Sequence, residues 1–269
     1  MIDIHCHILP GMDDGPGSFD EAVAMCRKAA ADGIRTIVAT PHFKPGSYEF
    51  AAARIMEAID ILTAELKKRG VDIRILPGAE VTVSPEMIAH LNVGNHLTIN
   101  GGRYFLTEFS PLSVPADWDK FLLSFLDAGM VPIIVHPERN AWFINHPAAL
   151  ATAVRSGIMV QITAASITGD FGAEARDFSV HLLRNNLVHA IASDGHSADF
   201  RPSQLTEAVT LAADVVGRER AEALVTSIPQ AIIEGQPILE LEPIAYDFPI
   251  LPQKTGWLHK WGQRPYFGR

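Results

Sequence analysis

The first fourteen residues hold an unusual density of side chains that bind metal ions or carry protons. The stretch MIDIHCHILPGMDD places His5 and His7 two apart and Asp14 in the loop that follows. Residues two apart on a strand point to the same face, so two imidazoles with this spacing can bind one ion or two adjacent ions. The segment SDGH, with Asp194 and His196, repeats the spacing far along the chain.

Further metal-ligating residue types occur where successive predicted strands end. They are His42 in ATPH, Glu80 in PGAE, Glu108 in LTEF and His136 in IIVH. Together with the five residues above, they give nine nitrogen and oxygen donors, which is too many for one cation, and carboxylates such as that of Glu80 are natural bridges between ions. An H-x-H pair alone is a weak signal, but the whole set predicts a multinuclear metal site.

The other histidines have no such placement, and a lone histidine is more often a hydrogen-bonded core or surface residue than a ligand. We apply that interpretation to His90, His96, His146, His181, His189 and His259.

The elements that must position the donors alternate along the chain. Short apolar or β-branched runs predict strands, beginning with MIDIH and continuing at 34–40, 71–78, 103–109, 131–136, 157–163 and 187–193. Amphipathic segments between them predict helices at 18–32, 50–69, 116–129, 147–156, 174–185 and 203–216. Ser18 and Glu21 have the spacing of a capping box, and Gly33 follows the first helix, so all three are explained by helix geometry.

Seven strand–helix units with short links favour an α/β fold built as a (β/α) barrel, because right-handed βαβ crossovers close or nearly close a parallel sheet. An open doubly wound sheet is the alternative. In either architecture the functional groups gather at the C-terminal ends of the strands, where the donors lie.

Composition narrows the class of protein. The chain has 269 residues, 22 Lys and Arg against 31 Asp and Glu, and a net charge of −9, which argues against a nucleic-acid backbone as the main ligand. Two cysteines, Cys6 and Cys26, do not make a disulfide scaffold, and no apolar run is long enough for a signal sequence or a membrane span. We therefore expect a cytoplasmic protein.

The composition changes near residue 241. The segment 241–269 is rich in proline and aromatic residues and lacks helical or strand periodicity. We predict a catalytic domain over 1–240 and an extension over 241–269. The simplest expectation is that Trp257 and Trp261 dock on the protein's own surface, and a partner-docking motif is the alternative.

The motifs MIDIHCHILPGMDDGP, TPHF, GAE, EFS, HPER and IASDGH together resemble the PHP (polymerase and histidinol phosphatase) superfamily. Within it they are similar to the bacterial tyrosine-protein phosphatases of capsule and exopolysaccharide synthesis, over about residues 1–235. The resemblance implies a distorted (β/α)7 TIM-like barrel, the PHP fold, with three divalent metal ions, most often Mn²⁺, although Fe, Zn or Co suit such ligands.

Carried over by position, the resemblance implies three ligand sets: His5, His7, Glu80 and Asp194 for one ion, Glu80, Glu108 and His136 for a second, and Asp14, His42 and His196 for the third. It also implies that Arg139, in HPERN, contacts the phosphate and that Arg201, in DFRP, is a second basic residue near the site. A solvated loop charge is the alternative for Arg201.

The implied activity is hydrolysis of phosphotyrosine by a metal-bound hydroxide, with a tyrosine autokinase of polysaccharide export as partner and substrate. Cysteine-dependent phosphatases place an arginine six residues after a reactive cysteine, but here Met12 follows Cys6 at that distance and Asp32 follows Cys26. A phosphoesterase for a small metabolite, such as histidinol phosphate or a nucleotide, and a metal-containing regulatory module are the alternatives.

Overall fold

The computed structural model describes residues 1–91, 94, 96–110 and 113–238. The predicted extension over 241–269, including Trp257 and Trp261, and His259 with it, lies outside the described residues. The strands are β1 (Ile2–Cys6), β2 (Thr36–Ala39), β3 (His42–Phe43), β4 (Arg74–Pro77), β5 (Glu80–Thr82), β6 (Tyr104–Glu108), β7 (Val131–Val135), β8 (Met159–Thr163) and β9 (Ala190–Ala192).

The helices surround these strands. They are α1 (Phe19–Ala31), α2 (Ala52–Lys68), α3 (Met87–His90), α4 (Trp118–Asp127), α5 (Ala141–Asn145), α6 (Pro147–Arg155), α7 (Ala164–Thr168), α8 (Ala173–Arg184), α9 (Thr206–Val216), α10 (Arg218–Ala223) and α11 (Ser227–Ile233). Short 3₁₀ turns cover Ile99–Gly101 and Pro137–Arg139. Among the helices described, none has the length and hydropathy needed to cross a membrane.

All strand pairings named here are parallel and fall into two sheets, with orders β1-β2-β4 and β3-β5-β6-β7-β8-β9. Strands β1, β7 and β8 are buried along their whole length, as expected for apolar parallel strands covered on both faces. Their side chains and those of the helices form one hydrophobic core.

Two strands of the first sheet are each continued, after a short break, by a strand of the second sheet, and we call each such pair one line. After a two-residue break at Thr40 and Pro41, β3 follows β2, and after Gly78 and Ala79, β5 follows β4. A Cβ at Gly78 would lie 2.8 Å from Val38 Cγ1, so the close approach at this break requires glycine. With each interrupted pair taken as one line, the described residues contain seven parallel lines, as the (β/α)7 prediction requires.

Strands β1 and β9, from opposite ends of the chain, meet at their C-terminal ends. Cys6 and Gly195 form a parallel bridge, the His7 amide donates to the Gly195 carbonyl at 2.9 Å, and the Asp194 amide donates to the His5 carbonyl at 2.9 Å. No continuous ladder links these two strands within the described residues. The seven parallel lines, with the first and the last in contact at their C-terminal ends, confirm the prediction of a distorted (β/α)7 barrel rather than an open doubly wound sheet.

The long predicted elements are all present, with their ends shifted by at most three residues. Helix α1 begins as its capping pattern indicates, because Ser18 Oγ accepts from the Glu21 amide at 3.3 Å. The reciprocal bond differs from a standard capping box, since Glu21 Oε2 accepts from the Gly17 amide, at 2.7 Å. Seven short elements are not predicted by the sequence patterns, namely β3, β5, α3, α5, α7, α10 and α11.

Candidate metal centre

Glu80 lies at the centre of the predicted donor set and is fully buried. Its Oε2 atom lies 3.4 Å from His5 Nε2, 3.3 Å from His7 Nε2 and 2.9 Å from His42 Nδ1. Its Oε1 atom lies 2.7 Å from His136 Nε2. Four histidines from three strand ends, those of β1, β2 and β7, therefore converge on one carboxylate.

The remaining donors surround this group. Asp194 Oδ1 lies 3.6 Å from His5 Nε2 and 3.5 Å from His7 Nε2. Asp14 Oδ1 lies 3.4 Å from His196 Nε2. Glu108 Oε1 lies 3.5 Å from the Nδ1 atom of His42, whose Nε2 atom faces Asp14 Oδ1 at 3.5 Å. The structure thus brings all nine predicted donors together, and their role as ligands stays a prediction.

Three groups of donor atoms each fit within 4.8 Å: His7, Asp14, His42 and His196; His5, His7 and Glu80; and His42, Glu80 and Glu108. These groups overlap with the implied ligand sets but divide the residues differently. Asp194 and His136 are in none of the three groups, although Asp194 Oδ1 lies within 3.6 Å of His5 and His7 Nε2 and His136 Nε2 lies 2.7 Å from Glu80 Oε1.

The residues present fit divalent cations. Glu80 Oε2 is buried and makes no hydrogen bond, although three imidazole nitrogens lie within 3.4 Å of it. A buried carboxylate oxygen in this condition is costly unless a cation or a donor satisfies it. The mixed imidazole and carboxylate donors are those that Mn, Fe, Zn and Co accept.

The charged groups perturb one another strongly. Burial disfavours the ionised form of Glu80, but His5 and His42 outweigh burial and hold the pKa of Glu80 well below its usual range. Burial also disfavours the imidazolium of His42, but Glu80 and Glu108 raise the pKa of His42 to about 12. The carboxylates of the centre therefore favour positive charge, which protons or metal ions can supply.

Hydrogen bonds to Nδ1 fix the orientation of three rings. His5 Nδ1 lies 2.8 Å from Gln161 Oε1 on β8, and His7 Nδ1 lies 2.6 Å from Asp13 Oδ2. His196 Nδ1 lies 2.9 Å from the main-chain carbonyl oxygen of Asp194. Each bond leaves Nε2 directed into the centre, which is the usual arrangement of partners behind metal-binding histidines.

Two of the residues that bond to Nδ1 of the donor histidines, Asp13 and Gln161, differ in how far the sequence indicates their role. Asp13 stands in the MDDGP motif, but sequence analysis gave a ligand role only to its neighbour Asp14. Gln161 was missed altogether, and the only available signal was a polar residue inside the buried strand GIMVQIT.

The loop between β1 and α1 is shaped around Asp13 and Gly15. Asp13 accepts from the amides of Gly15 at 3.0 Å and His42 at 2.9 Å, in addition to its bond with His7. A Cβ at Gly15 would lie 2.4 Å from the His7 carbonyl oxygen. Only glycine fits there, which explains the DDG sequence locally and places Asp14 beside His196.

Backbone strain occurs at two of the predicted ligands. His136 follows β7 with a φ of 36°, and Asp194 follows β9 with a φ of 51°. Residues other than glycine rarely adopt this left-handed conformation, and such outliers concentrate at functional sites. The strain turns both side chains toward the centre directly after their strands end.

Both predicted arginines bind the outer oxygen of Asp194. Arg139 Nη1 donates to Asp194 Oδ2 at 2.6 Å, and Arg201 Nη2 donates to the same atom at 2.5 Å. Burial opposes the charge on Asp194, but Arg201 and His5 reverse this effect and lower its pKa. Arg201 is therefore not a solvated loop charge.

A phenylalanine that sequence analysis missed supports the arginine pair. Phe171, in the turn between α7 and α8, has its ring centroid 4.3 Å from the guanidinium carbon of Arg139 and 5.6 Å from that of Arg201. Cations attract the face of an aromatic ring at these distances. The ring therefore holds two like charges beside each other at the edge of the centre.

Cys6 points away from the donors, as its position between His5 and His7 predicts. Its Sγ lies 3.1 Å from Ser203 Oγ, and burial raises the pKa of the thiol well above its usual range. A buried thiol of this kind is a poor nucleophile. Among the described histidines, the five interpreted as structural lie outside the three donor groups, and His189 Nδ1 accepts from the Val160 amide at 3.0 Å.

Comparison with known proteins gives close matches over most of the chain. Tyrosine-protein phosphatase YwqE of Bacillus subtilis is 37% identical over 243 residues, which cover 90% of this chain and 95% of that protein. Tyrosine-protein phosphatase CpsB of Streptococcus pneumoniae is 31% identical over 88% of this chain and 99% of its own length. The putative tyrosine-protein phosphatase CapC of Staphylococcus aureus is 34% identical over 77% of this chain and 81% of its own length.

Solved structures agree with these matches. A crystal structure from work on YwqE of B. subtilis and CpsB of S. pneumoniae, described as unique metal-dependent tyrosine phosphatases, superposes with a TM-score of 0.86 at 37% identity. The match covers 90% of this chain and 98% of that one. The lactonase Lmo2620 of Listeria monocytogenes shares the fold alone, with a TM-score of 0.54 at 12% identity over 86% of this chain and 94% of its own.

The family model for capsular polysaccharide synthesis proteins CpsB/CapC matches residues 1–234. That span contains the whole donor set, both arginines and the barrel that positions them. The chain therefore belongs to the CpsB/CapC family, the capsule-associated branch that its motifs resemble.

Proposed function

We propose that this protein is a metal-dependent protein-tyrosine phosphatase of capsular or exopolysaccharide synthesis. The observation that carries the proposal is the convergence of nine metal-ligating side chains and two arginines at the C-terminal ends of the strands. The names of the relatives, which are tyrosine-protein phosphatases, support the same activity.

The proposed cofactor is a set of three divalent ions, with Mn²⁺ as the favoured metal. His5, His7, Glu80 and Asp194 would hold one ion, Glu80, Glu108 and His136 a second, and Asp14, His42 and His196 the third. When bound, such ions supply Lewis acidity, which activates water and offsets the negative charge that develops on phosphoryl oxygens.

The arginines are the proposed phosphate-binding groups. Arg139 and Arg201 both reach Asp194 Oδ2, so their guanidinium groups lie together beside the donors. Planar guanidinium groups bind phosphoryl oxygens through paired N–H donors, which lysine does not offer. The two arginines would orient the phosphate and stabilise its charge during transfer to water.

No protein nucleophile is needed in this scheme. Cys6 is buried with a raised pKa and faces Ser203. A tyrosine phenolate is a better leaving group than an alkoxide, because its conjugate acid has a pKa of about 10. A phosphotyrosine substrate therefore requires little general-acid assistance.

The proposed substrate is a phosphotyrosine protein that acts in the same pathway. Phosphotyrosine has to be supplied by a tyrosine kinase, so we propose a tyrosine autokinase of polysaccharide export as both partner and substrate. We place the reaction in the cytoplasm, since Cys6 and Cys26 are free thiols, as is usual in a reducing compartment.

A substrate panel tests the activity. With added Mn²⁺, the purified protein should hydrolyse a phosphotyrosine peptide, and a chelator should abolish this activity. His136→Ala and Asp194→Ala should abolish turnover, whereas Cys6→Ser, the matched control, should keep most of it.

Three results would contradict the proposal. Activity on histidinol phosphate or a nucleotide alone would indicate a small-metabolite phosphoesterase. A Cys6→Ser variant without activity would contradict the mechanism. Absence of turnover on every phosphate ester, despite bound metal, would indicate a regulatory binding module.

A further inference from the structure

Phe200 is the most exposed large apolar side chain among the described residues. Its side chain is 94% exposed, compared with 52% for Ile61 and 38% for Leu211, which lie on the outer faces of helices. A single exposed apolar residue needs no explanation by itself. What distinguishes Phe200 is its place in the turn after β9.

This turn is held closed by its own hydrogen bonds. The amides of His196 and Ser197 donate to the Arg201 carbonyl at 2.9 and 3.2 Å. Ser197 Oγ accepts from the amides of Phe200 at 3.1 Å and Arg201 at 3.2 Å. The backbone that carries Phe200 is therefore fixed relative to the two site residues at its base.

A side-chain contact anchors the same turn from outside. Lys28 Nζ, on α1, donates to Asp199 Oδ1 at 2.8 Å. Asp199, the residue before Phe200, thus forms an ion pair with Lys28, although this pair is exposed and contributes little to stability.

Both ends of the turn lead into the metal centre. His196 Nε2 faces Asp14 Oδ1 at 3.4 Å, and Arg201 binds Asp194 Oδ2. Consecutive Cα atoms are about 3.8 Å apart, so the backbone of Phe200 stands one residue from a proposed phosphate-binding arginine. Its phenyl ring is exposed on a turn whose two ends are site residues, and we call this turn the rim of the site.

We propose that Phe200 is a specificity-determining residue that contacts an apolar side chain next to phosphotyrosine in a polypeptide substrate. This inference rests on the proposed phosphatase function and deepens it. A small phosphate ester has no group beyond its leaving group to contact an outward-facing ring, whereas a phosphotyrosine in a polypeptide has flanking residues that extend away from the phosphate along the surface. Aromatic side chains on fixed backbone are effective contact residues because little conformational entropy is lost on binding.

Three substrates distinguish a contact with the residues that flank phosphotyrosine from an effect on the hydrolysis of every phosphate ester. They are p-nitrophenyl phosphate, a phosphotyrosine peptide flanked by leucines, and the same peptide flanked by glycines. We expect Phe200→Ala to lower kcat/KM on the leucine-flanked peptide about tenfold, mainly through KM. On the other two substrates the change should stay within about twofold, because the contact is absent from both.

Ile61→Ala is the matched control, since it removes an exposed apolar side chain from α2. It should leave all three rates unchanged. Phe200→Tyr should restore activity on the leucine-flanked peptide, because it keeps an aromatic ring at the rim.

Each other outcome overturns the inference in a recognisable way. An equal loss on all three substrates would make Phe200 a support of the site, and no loss on any would remove its role. Weaker binding of Phe200→Ala to anionic phospholipid vesicles, with unchanged peptide kinetics, would assign the ring to a membrane surface. A wild-type protein inactive on both peptides but active on histidinol phosphate would show that the proposed function itself is wrong.

Discussion

At the scale of single residues, the centre depends on side chains that hydrogen-bond to Nδ1 of the donor histidines, on the side of each ring away from Glu80. Gln161 and Asp13 fix the rings of His5 and His7, so Nε2 of each faces Glu80. Free imidazoles exchange tautomers and rotate, and a ligand that must be ordered on binding costs affinity. Replacing Gln161 or Asp13 should therefore lower the affinity for metal ions.

Replacing Gln161 by methionine should weaken binding of Mn²⁺ by about 10- to 100-fold, because His5 loses the acceptor that fixes its tautomer. Gln161→Glu is the matched control, since a carboxylate still accepts from His5 Nδ1. Calorimetric titration with Mn²⁺ measures both. Unchanged affinity in Gln161→Met would show that the bond does not orient a ligand.

Phe171 offers a second test at this scale. Phe171→Leu keeps an apolar side chain but removes the ring face that Arg139 and Arg201 contact. We expect KM for p-nitrophenyl phosphate to rise about fivefold, since cation–π contacts contribute about 0.5–1 kcal/mol each at exposed sites. The inhibition constant of inorganic phosphate should rise in parallel, with a smaller change in kcat.

Rescue by Phe171→Tyr would distinguish this role from simple packing, because tyrosine restores the ring. A fall in kcat with unchanged KM and phosphate inhibition would contradict it.

At the scale of elements, the short connections decide the geometry of the centre. The loop between β1 and α1 turns back on the His7 carbonyl at Gly15 and delivers both aspartates. The breaks between β2 and β3 and between β4 and β5 carry His42 and Glu80 across from one sheet to the other. The barrel is distorted where the donors are densest.

Two glycines in one loop provide a matched pair. Gly15→Ala should destabilise the fold by about 1–3 kcal/mol and weaken metal binding, because its Cβ would collide with the His7 carbonyl and displace Asp13. A Cβ at Gly17 would meet only Glu21 Oε2, at 3.6 Å, so Gly17→Ala should change stability by less than about 0.5 kcal/mol. Urea unfolding and Mn²⁺ titration measure both effects, and equal effects would contradict the steric argument.

His189, which precedes β9 and bonds to β8, predicts that the stability of the fold depends on pH. Burial and, to a lesser degree, Arg220 lower the pKa of His189 from 6.5 to about 3, so the folded protein holds a neutral ring that accepts from Val160. Below pH 6.5 the unfolded chain binds a proton that the folded chain does not. The contribution of His189 to the free energy of unfolding should therefore fall, by about 1 kcal/mol per pH unit, as pH decreases from about 6 to 4.

His189→Gln isolates this contribution, since glutamine does not titrate. The stability difference between wild type and variant, from urea unfolding, should be largest at pH 7 and shrink at pH 5. A difference independent of pH would show that His189 does not titrate on unfolding.

At the scale of the whole molecule, the site exists because the two ends of the described chain meet. Asp3 on β1 accepts from the Ser193 amide at 3.0 Å and from its hydroxyl at 2.5 Å. The Ile2 amide donates to the Val225 carbonyl at 2.8 Å, and Tyr104 Oη donates to the Gln236 carbonyl at 2.7 Å. The strand that opens the chain is thus bonded to residues 193 and 225, and β6 is bonded to residue 236.

These contacts support the prediction that the residues before about 240 fold as one unit. A chain ending at residue 238 keeps every contact named above, and the family match ends at 234. We expect it to bind Mn²⁺ and hydrolyse p-nitrophenyl phosphate as the full chain does; loss of either would show that 239–269 completes the site. Its melting temperature tests the other expectation, because a decrease would support docking of Trp257 and Trp261 on the protein's own surface.

Sequence alone was enough to predict the order of long strands and helices, because apolar periodicity reports burial on one face or both. It was also enough to select the nine donors. In a parallel barrel, residues just after each strand share one edge, so their types predict a common site before any distance is known.

Only the tertiary structure decided how those donors are held and what surrounds them. Gln161 bonds to His5 across 156 positions, and Arg139, Arg201 and Phe171 meet from three separate connections. No local sequence pattern predicts such contacts, because each joins residues that are far apart in the chain and meet only in the folded barrel. The sequence thus determined which side chains reach the centre, and closure of the barrel determined which others fix them in place.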